Sequence, residues 1–291
     1  MRFVASSRIA VAATALILLG GCVPGVLDPA GPIGAGERTI LLNSLVIMLG
    51  IVVPTIIAAA GFAWWFRAGN EKATYRPDWS YSGKLELLVW SVPLLVVIFL
   101  AGMTWIGSHQ LDPFRPIQST KRPIRVQVVS LNWKWVFIYP DQGVATVNRL
   151  VMPIGTPVNF EITSGTVMNS FFIPQLGSQI YAMPGMRAKL SLQADRPGSY
   201  RGLSAHYSGE GFADMVFRAE AVSPAAFQSW AQSLRGRGGL LDDRAYLALA
   251  RKEETSRPGY WGSVSPNLFD AAVAQAGVPV HKVEHHGRER L

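Results

Sequence analysis

Between Tyr200 and Met215 the chain reads YRGLSAHYSGEGFADM, a run of Gly, Ser, His and Met set between two strand-like segments. His206 and Met215 are soft enough donors for copper or a related ion, and a short loop on a β-sandwich is a place where such ions are held. Two ligands do not close a site, and this stretch contains no cysteine; the only cysteine of the chain is Cys22, far upstream. A lone imidazole in such a loop reads as a surface or hydrogen-bonding histidine. Two further groups could do chemistry. Glu86 stands at the head of a long apolar run, where a carboxylate either caps a helix through its macrodipole or belongs to a proton relay. His285 and His286 adjoin in a polar tail and could take up a stray ion, but a disordered tail gives them nothing to hold it with.

The elements that would position these groups follow from composition. With 49% hydrophobic and 16% charged residues, the 291-residue chain is too apolar for an ordinary soluble enzyme, where charged side chains make up about 25%. Part of it is expected in a membrane. One cysteine excludes an internal disulfide framework and every multi-cysteine metal motif. The net charge of +8 is spread along the sequence instead of forming a block, so it is no nucleic-acid signal.

The N-terminus, MRFVASSRIAVAATALILLGGC, has Arg2 and Arg8 ahead of an apolar run from Ile9 to Leu19. That run is too short to span a bilayer and has the layout of a secretory signal, residues 1–21. Its ending Leu19-Gly20-Gly21-Cys22 resembles the bacterial lipobox, which implies lipidation of Cys22 as the mature N-terminus. A plain signal peptide with a coincidental cysteine is the blander alternative. After an outward-facing segment over 22–39, two stretches without charged side chains, Ile40 to Phe66 and Leu87 to Ser108, exceed the ~30 Å hydrocarbon core at ~1.5 Å per residue. They predict transmembrane helices over 40–66 and 85–108. Pro54 and Pro93 interrupt them tolerably in a membrane, and Trp64, Trp65, Phe66, Trp90 and Trp105 suit the interfacial belts. The loop over 67–84 carries Arg67, Lys72, Arg76 and Lys84 against Glu71 and Asp78, which places it in the cytoplasm and everything after about His109 in the periplasm.

Alternation in RVQVVSL, KLSLQA and MVFRAEAV predicts half-buried antiparallel strands, and turn signals such as PDQG, MPGM and DRPGS separate them. Residues 120–222 are thus expected to form an all-β sandwich. From Ser223 the period changes: Phe227, Trp230, Ala231 and Leu234 recur at helical spacing, Asp242 can cap a second helix, and Ser265-Pro266 can start a third. These short helices make a C-terminal arm over 223–276, followed by a polar tail, 277–291, expected to be disordered.

Two membrane helices leading into an external sandwich is the layout of subunit II of the haem-copper oxidases. The segment LNWKWVFIYPDQGVATVNRLVMPIGTPVNFEITSGTVMNSFFIPQLGSQIYAMPGM closely resembles subunit II of the cytochrome bo-type ubiquinol oxidases, as do YSGEGFADMVF and KLELLVWSVPLLVVIFLAGMTW. The resemblance covers nearly all of the mature chain. It implies a periplasmic cupredoxin-type Greek-key sandwich anchored to the bacterial inner membrane, in a proton-pumping complex that oxidises ubiquinol and reduces oxygen to water. Haem b, haem o and CuB are implied in subunit I, with subunits III and IV and membrane lipid as further partners.

Related cytochrome c oxidases carry the dinuclear copper centre CuA here, held by a His before Ser-Phe and by a loop of the form C-x-x-x-C-x-x-x-H-x-x-M. Bridging thiolates let an electron delocalise over the copper pair. By that pattern the ligand positions fall at Asn169, Leu203, Tyr207 and Gly211, with Met215 matching only after a shift of one residue. The loop therefore reads as a scaffold without its metal, and the subunit as non-catalytic. Ten basic against six acidic side chains between Lys121 and Val222 would repel the basic face of a cytochrome c. Trp133 and Trp135, which resemble aromatic positions that relay electrons into CuA, then have no acceptor and read as packing and interface residues. Glu86 matches the E-x-x-V-W-x-V-P pattern of quinol oxidases, where the resemblance implies a proton path into subunit I. The competing readings are a cytochrome c oxidase subunit with a diverged copper site and a stand-alone periplasmic lipoprotein for assembly or binding.

Overall fold

The computed structural model describes residues 25–74, 76–251 and 258–275. Cys22, the signal segment 1–21 and the tail with His285 and His286 lie outside the described residues. Two long helices open the described chain, α1 (Pro32–Trp65) and α2 (Gly83–Gln110), and both are long and apolar enough to cross a membrane. Apolar side chains surround them on every side, and almost all are exposed, as helices built for a lipid solvent require. They meet along a short seam where small and polar residues permit approach: a Cβ added at Gly107 would fall 2.5 Å from Ile40, and the Ser44 hydroxyl donates to the Met103 sulfur at 3.4 Å.

α1 begins at Pro32, ahead of the uncharged run, because its first turns are seated on the β-domain and not in the bilayer. Ala30 N–H donates to the Gln175 carbonyl at 2.7 Å, Gly34 N–H to the Leu176 carbonyl at 3.0 Å, and Asp195 N–H to the Ala30 carbonyl at 2.7 Å. The Glu37 carboxylate accepts from both the backbone N–H and the hydroxyl of Ser178, at 2.8 and 2.9 Å. Gly177, at φ 103°, lets the chain pass beside Gly34; a Cβ there would lie 2.6 Å from the Gly34 nitrogen.

Ten strands follow: β1 (Ile124–Leu131), β2 (Lys134–Tyr139), β3 (Val144–Val147), β4 (Arg149–Pro153), β5 (Val158–Ser164), β6 (Asn169–Ile173), β7 (Gly177–Ala182), β8 (Ala188–Leu192), β9 (Gly198–Ser204) and β10 (Val216–Val222). The C-terminal arm adds α3 (Pro224–Leu234), β11 (Leu240–Leu241), α4 (Asp243–Leu249), β12 (Gly259–Trp261), β13 (Ser263–Val264) and α5 (Leu268–Gln275). One sheet runs β12-β3-β2-β1-β5-β8 and packs on a second, β4-β10-β9-β6-β7. The expectation of purely antiparallel strands needs correction: β1 pairs parallel with β5, and β10 parallel with β4. Alternation reports which face is buried and not strand direction, so it could not separate the two cases.

Between the sheets lies an aromatic core of Trp135, Phe137, Tyr139, Phe160, Phe171 and Phe217, with Phe171 and Phe217 stacked 5.1 Å apart. Val126, Val128, Leu190, Leu192, Phe217 and Ala219 point into it, as their alternation predicts. β2, which shows no such alternation, is buried at every residue. Val129, Leu131, Val136 and Ile138 face outward from the sandwich, and Tyr246, Leu268, Phe269 and Ala272 of the arm cover them. Asp242 caps α4 by accepting from Ala245 N–H at 2.8 Å, and Ser223 caps α3 by accepting from Ala226 N–H at 3.2 Å. The third helix starts at Leu268, a little after Ser265-Pro266, and β12 joins the sheet edge against β3, which helical periodicity gave no hint of.

A ligand loop without thiolates

The loop from β9 to β10 closes over the end of β6. Ser204, last in β9, donates its hydroxyl to the Asn169 side-chain oxygen at 3.1 Å, and the Asn169 amide donates to the Val167 carbonyl at 3.1 Å. Ser208 lies 3.9 Å from the sulfur of Met215, whose side chain is 1% exposed. Ser204 N–H donates to the Met215 carbonyl, which closes the base of the loop at 3.1 Å. Asn169, Ser204, Ser208 and Met215 are therefore drawn together.

Leu203, Tyr207 and Gly211 are not. Along β9, Tyr200, Gly202 and Ser204 face inward, so Leu203 turns to the opposite face of the sheet and pairs with Val216. Tyr207 is 72% exposed and rests against Phe212. Gly211 lies flat beneath the Trp133 indole, where a Cβ would come within 2.2 Å of the ring. The expected positions are thus one residue out of register, as the poor fit of Met215 hinted. Ser204, Ser208, Phe212 and Met215 carry the C-x-x-x-C-x-x-x-H-x-x-M spacing without remainder. The correction leaves the chemistry unchanged: an amide, two hydroxyls and a thioether offer no anionic soft donor and no imidazole, a set that does not fit a bridged copper pair. His206 sits outside the cluster, edge-on to Tyr181 at 6.0 Å.

Trp133 has a part that sequence reasoning missed. It occupies the two-residue turn between β1 and β2 at φ 54°, a conformation uncommon for a bulky side chain. From there its indole N–H donates to the Ser208 carbonyl at 3.1 Å, and the ring roofs Gly211. The pairing of an aromatic with a Gly that has no room for a side chain was the available signal. Trp135, by contrast, is wholly buried and packs edge-on against Phe171 and Phe217. At the other end of the molecule Glu86 sits in the first turn of α2, and the Trp90 indole donates to its carboxylate at 3.1 Å. The Glu86 side chain is exposed.

A pair of membrane-length helices, a cupredoxin-like sandwich and an aromatic-rich arm define the chain as a subunit II of the haem-copper oxidase type. The family model described as cytochrome c oxidase subunit II, periplasmic domain, matches residues 140–222, and the one described as COX aromatic rich motif matches 235–276. The chain is 47% identical over 271 residues to cytochrome bo(3) ubiquinol oxidase subunit 2 of Pseudomonas aeruginosa, covering 93% of this chain and 80% of that one. It is 47% identical over 261 residues to ubiquinol oxidase subunit 2 of Acetobacter aceti (89% and 85% covered), and 33% identical over 253 residues to quinol oxidase subunit 2 of Bacillus cereus (86% and 85% covered). The chain belongs to the ubiquinol oxidase subunit 2 family.

Proposed function

We propose that this chain is the non-redox subunit II of a terminal oxidase that takes electrons from ubiquinol and passes them to oxygen. Its identity to relatives named ubiquinol oxidase subunit 2 carries this reading over a diverged cytochrome c oxidase subunit and over a stand-alone lipoprotein. The loop supports it chemically, since Asn169, Ser204, Ser208 and Met215 supply no thiolate through which an electron from a soluble donor could pass. In this reading haem b, haem o and CuB reside in subunit I, the main partner, and subunits III and IV complete the complex in the inner membrane. The Arg67–Lys84 loop faces the cytoplasm, the sandwich faces the periplasm, and Cys22 carries the lipid. Cytochrome c is not a partner.

Within this reading Glu86 opens a proton path at the cytoplasmic start of α2. A carboxylate held by a single indole N–H keeps a second oxygen available for a proton, which a capping role alone would not require. Glu86→Gln preserves an acceptor for Trp90, so its cost in stability stays below about 1 kcal/mol. The measurement is ubiquinol-dependent oxygen consumption per mole of haem in assembled complex. Glu86→Gln should lower turnover well beyond any loss of assembly, while Glu86→Asp retains more. Equal, near-normal rates for both variants would leave only the cap.

A further inference from the structure

The strand register places three guanidinium groups in one line across the outer face of the second sheet. Arg201 of β9 stands opposite Arg218 of β10, and Arg218 stands opposite Arg149 of β4. Directly opposed residues share a face, and neighbouring strands lie about 4.8 Å apart, so the row spans about 10 Å. Like charges placed directly opposite one another destabilise a sheet. Only one of the three is offset: Glu220 takes Arg149 in a forked pair at 2.7 and 3.1 Å. Arg201 and Arg218 are exposed and make no ion pair or side-chain hydrogen bond among the described residues. The row lines an open groove of about 770 Å³, whose wall also includes Asp214, the half-buried Val216 and the exposed Pro258.

We infer that this groove is a docking surface for an acidic segment of a partner protein, whose carboxylates bridge Arg201 and Arg218 as Glu220 already bridges onto Arg149. The forked guanidinium–carboxylate geometry is the one the row itself displays, and a bridging carboxylate turns the opposed like charges into an attractive array. A bilayer is a poorer fit. α1 is seated at β7, and the sheet order β4-β10-β9-β6-β7 puts the row on the strands leading away from that seat, with Arg149 on the far edge. The apolar strip formed by Val216 and Pro258 also suits a polypeptide better than a small ion.

The test uses the purified oxidase complex and a fluorescent hexaglutamate peptide, followed by anisotropy. The expected result is saturable binding that R201Q/R218Q weakens at least roughly tenfold, whereas R122Q/R244Q, which removes two exposed arginines elsewhere, leaves it within about twofold. Competition by short-chain phosphatidylglycerol in mixed micelles, or by inorganic phosphate, at concentrations where hexaglutamate fails would overturn the assignment in favour of a lipid or a free anion. Equal weakening by both double variants would reduce the effect to net charge and overturn it as well, as would absence of binding. The row should also cost the free protein stability, so R201Q/R218Q should unfold at the same temperature as the parent or higher. A lower unfolding temperature would mark the row as a structural element and count against docking.

Discussion

Replacing Tyr139 by phenylalanine removes one oxygen that satisfies two backbone groups at once. The hydroxyl donates to the Val151 carbonyl at 2.9 Å and accepts from the Val151 N–H at 2.8 Å, while the ring is 0% exposed. β4 is an edge strand bonded to β10 on one side only, so these two groups, on its free side, have the tyrosine as their partner. A buried group left unsatisfied costs about 1–3 kcal/mol, and relaxation at an edge recovers part of that for two adjacent groups. Tyr139→Phe should therefore destabilise the sandwich by about 3 kcal/mol. For a β-domain of roughly a hundred residues this lowers the unfolding midpoint by about 12–24 °C. Near-ultraviolet circular dichroism of the full chain in detergent reports the midpoint through the buried tryptophans. A loss below about 0.5 kcal/mol would refute the reasoning, because it would mean that water or a shifted strand replaces the hydroxyl without penalty.

Tyr246 supplies the converse case, since no hydrogen bond to its hydroxyl is found among the described residues and burial pushes its pKa up to about 12. A phenol whose folded pKa lies above the unfolded value of about 10 adds stability that is complete below pH ~10 and is lost as pH rises toward the folded value. Tyr246→Phe should be near neutral at pH ~7 and should remove roughly 2–3 kcal/mol of alkaline destabilisation, read by denaturant titrations from pH ~8 to pH ~12; parallel pH profiles for parent and variant would contradict this. Gly177→Ala should loosen the seat of α1, because φ 103° and a Cβ 2.6 Å from the Gly34 nitrogen leave no room, whereas Gly143→Ala, with φ 72° but open space, should cost only the backbone strain of about 1–2 kcal/mol. Proteolysis between Asp28 and Glu37 would increase for the first variant alone; equal susceptibility would show the seat to be adaptable.

Much of this architecture is legible in the chain because burial leaves a period. Leu190, Leu192, Phe217 and Ala219 alternate with polar neighbours and all face the core, and the uncharged runs around Val52 and Val97 announce helices in lipid. The period fails where a second layer covers the outer face: Val129 and Val136 are buried beneath Phe269 and Leu268, and that covering comes from more than a hundred residues downstream. The ligand loop was legible in composition, and the spacing counted back from Met215 also held its register, although a loop has no period to make it stand out. The pleat of β9, which sends Leu203 outward and Ser204 toward Asn169, then decides which residues meet. Trp133 escaped for a similar reason, since its position follows from a left-handed turn that a tryptophan does not advertise.

The seat of α1 on β7 has a consequence for how the chain can change. A helix held by Ala30 just ahead of it and by Gly34 and Glu37 in its first two turns transmits its azimuth to whatever rests on it. One residue added to α1 beyond Glu37 would turn the sandwich by about 100° around the helix axis and raise it by about 1.5 Å, since the seat would not absorb the change. Side chains of the membrane span can then vary freely while its length cannot, so the count of residues between Glu37 and the lipid acts as the gauge that aims the ligand loop and the arginine row.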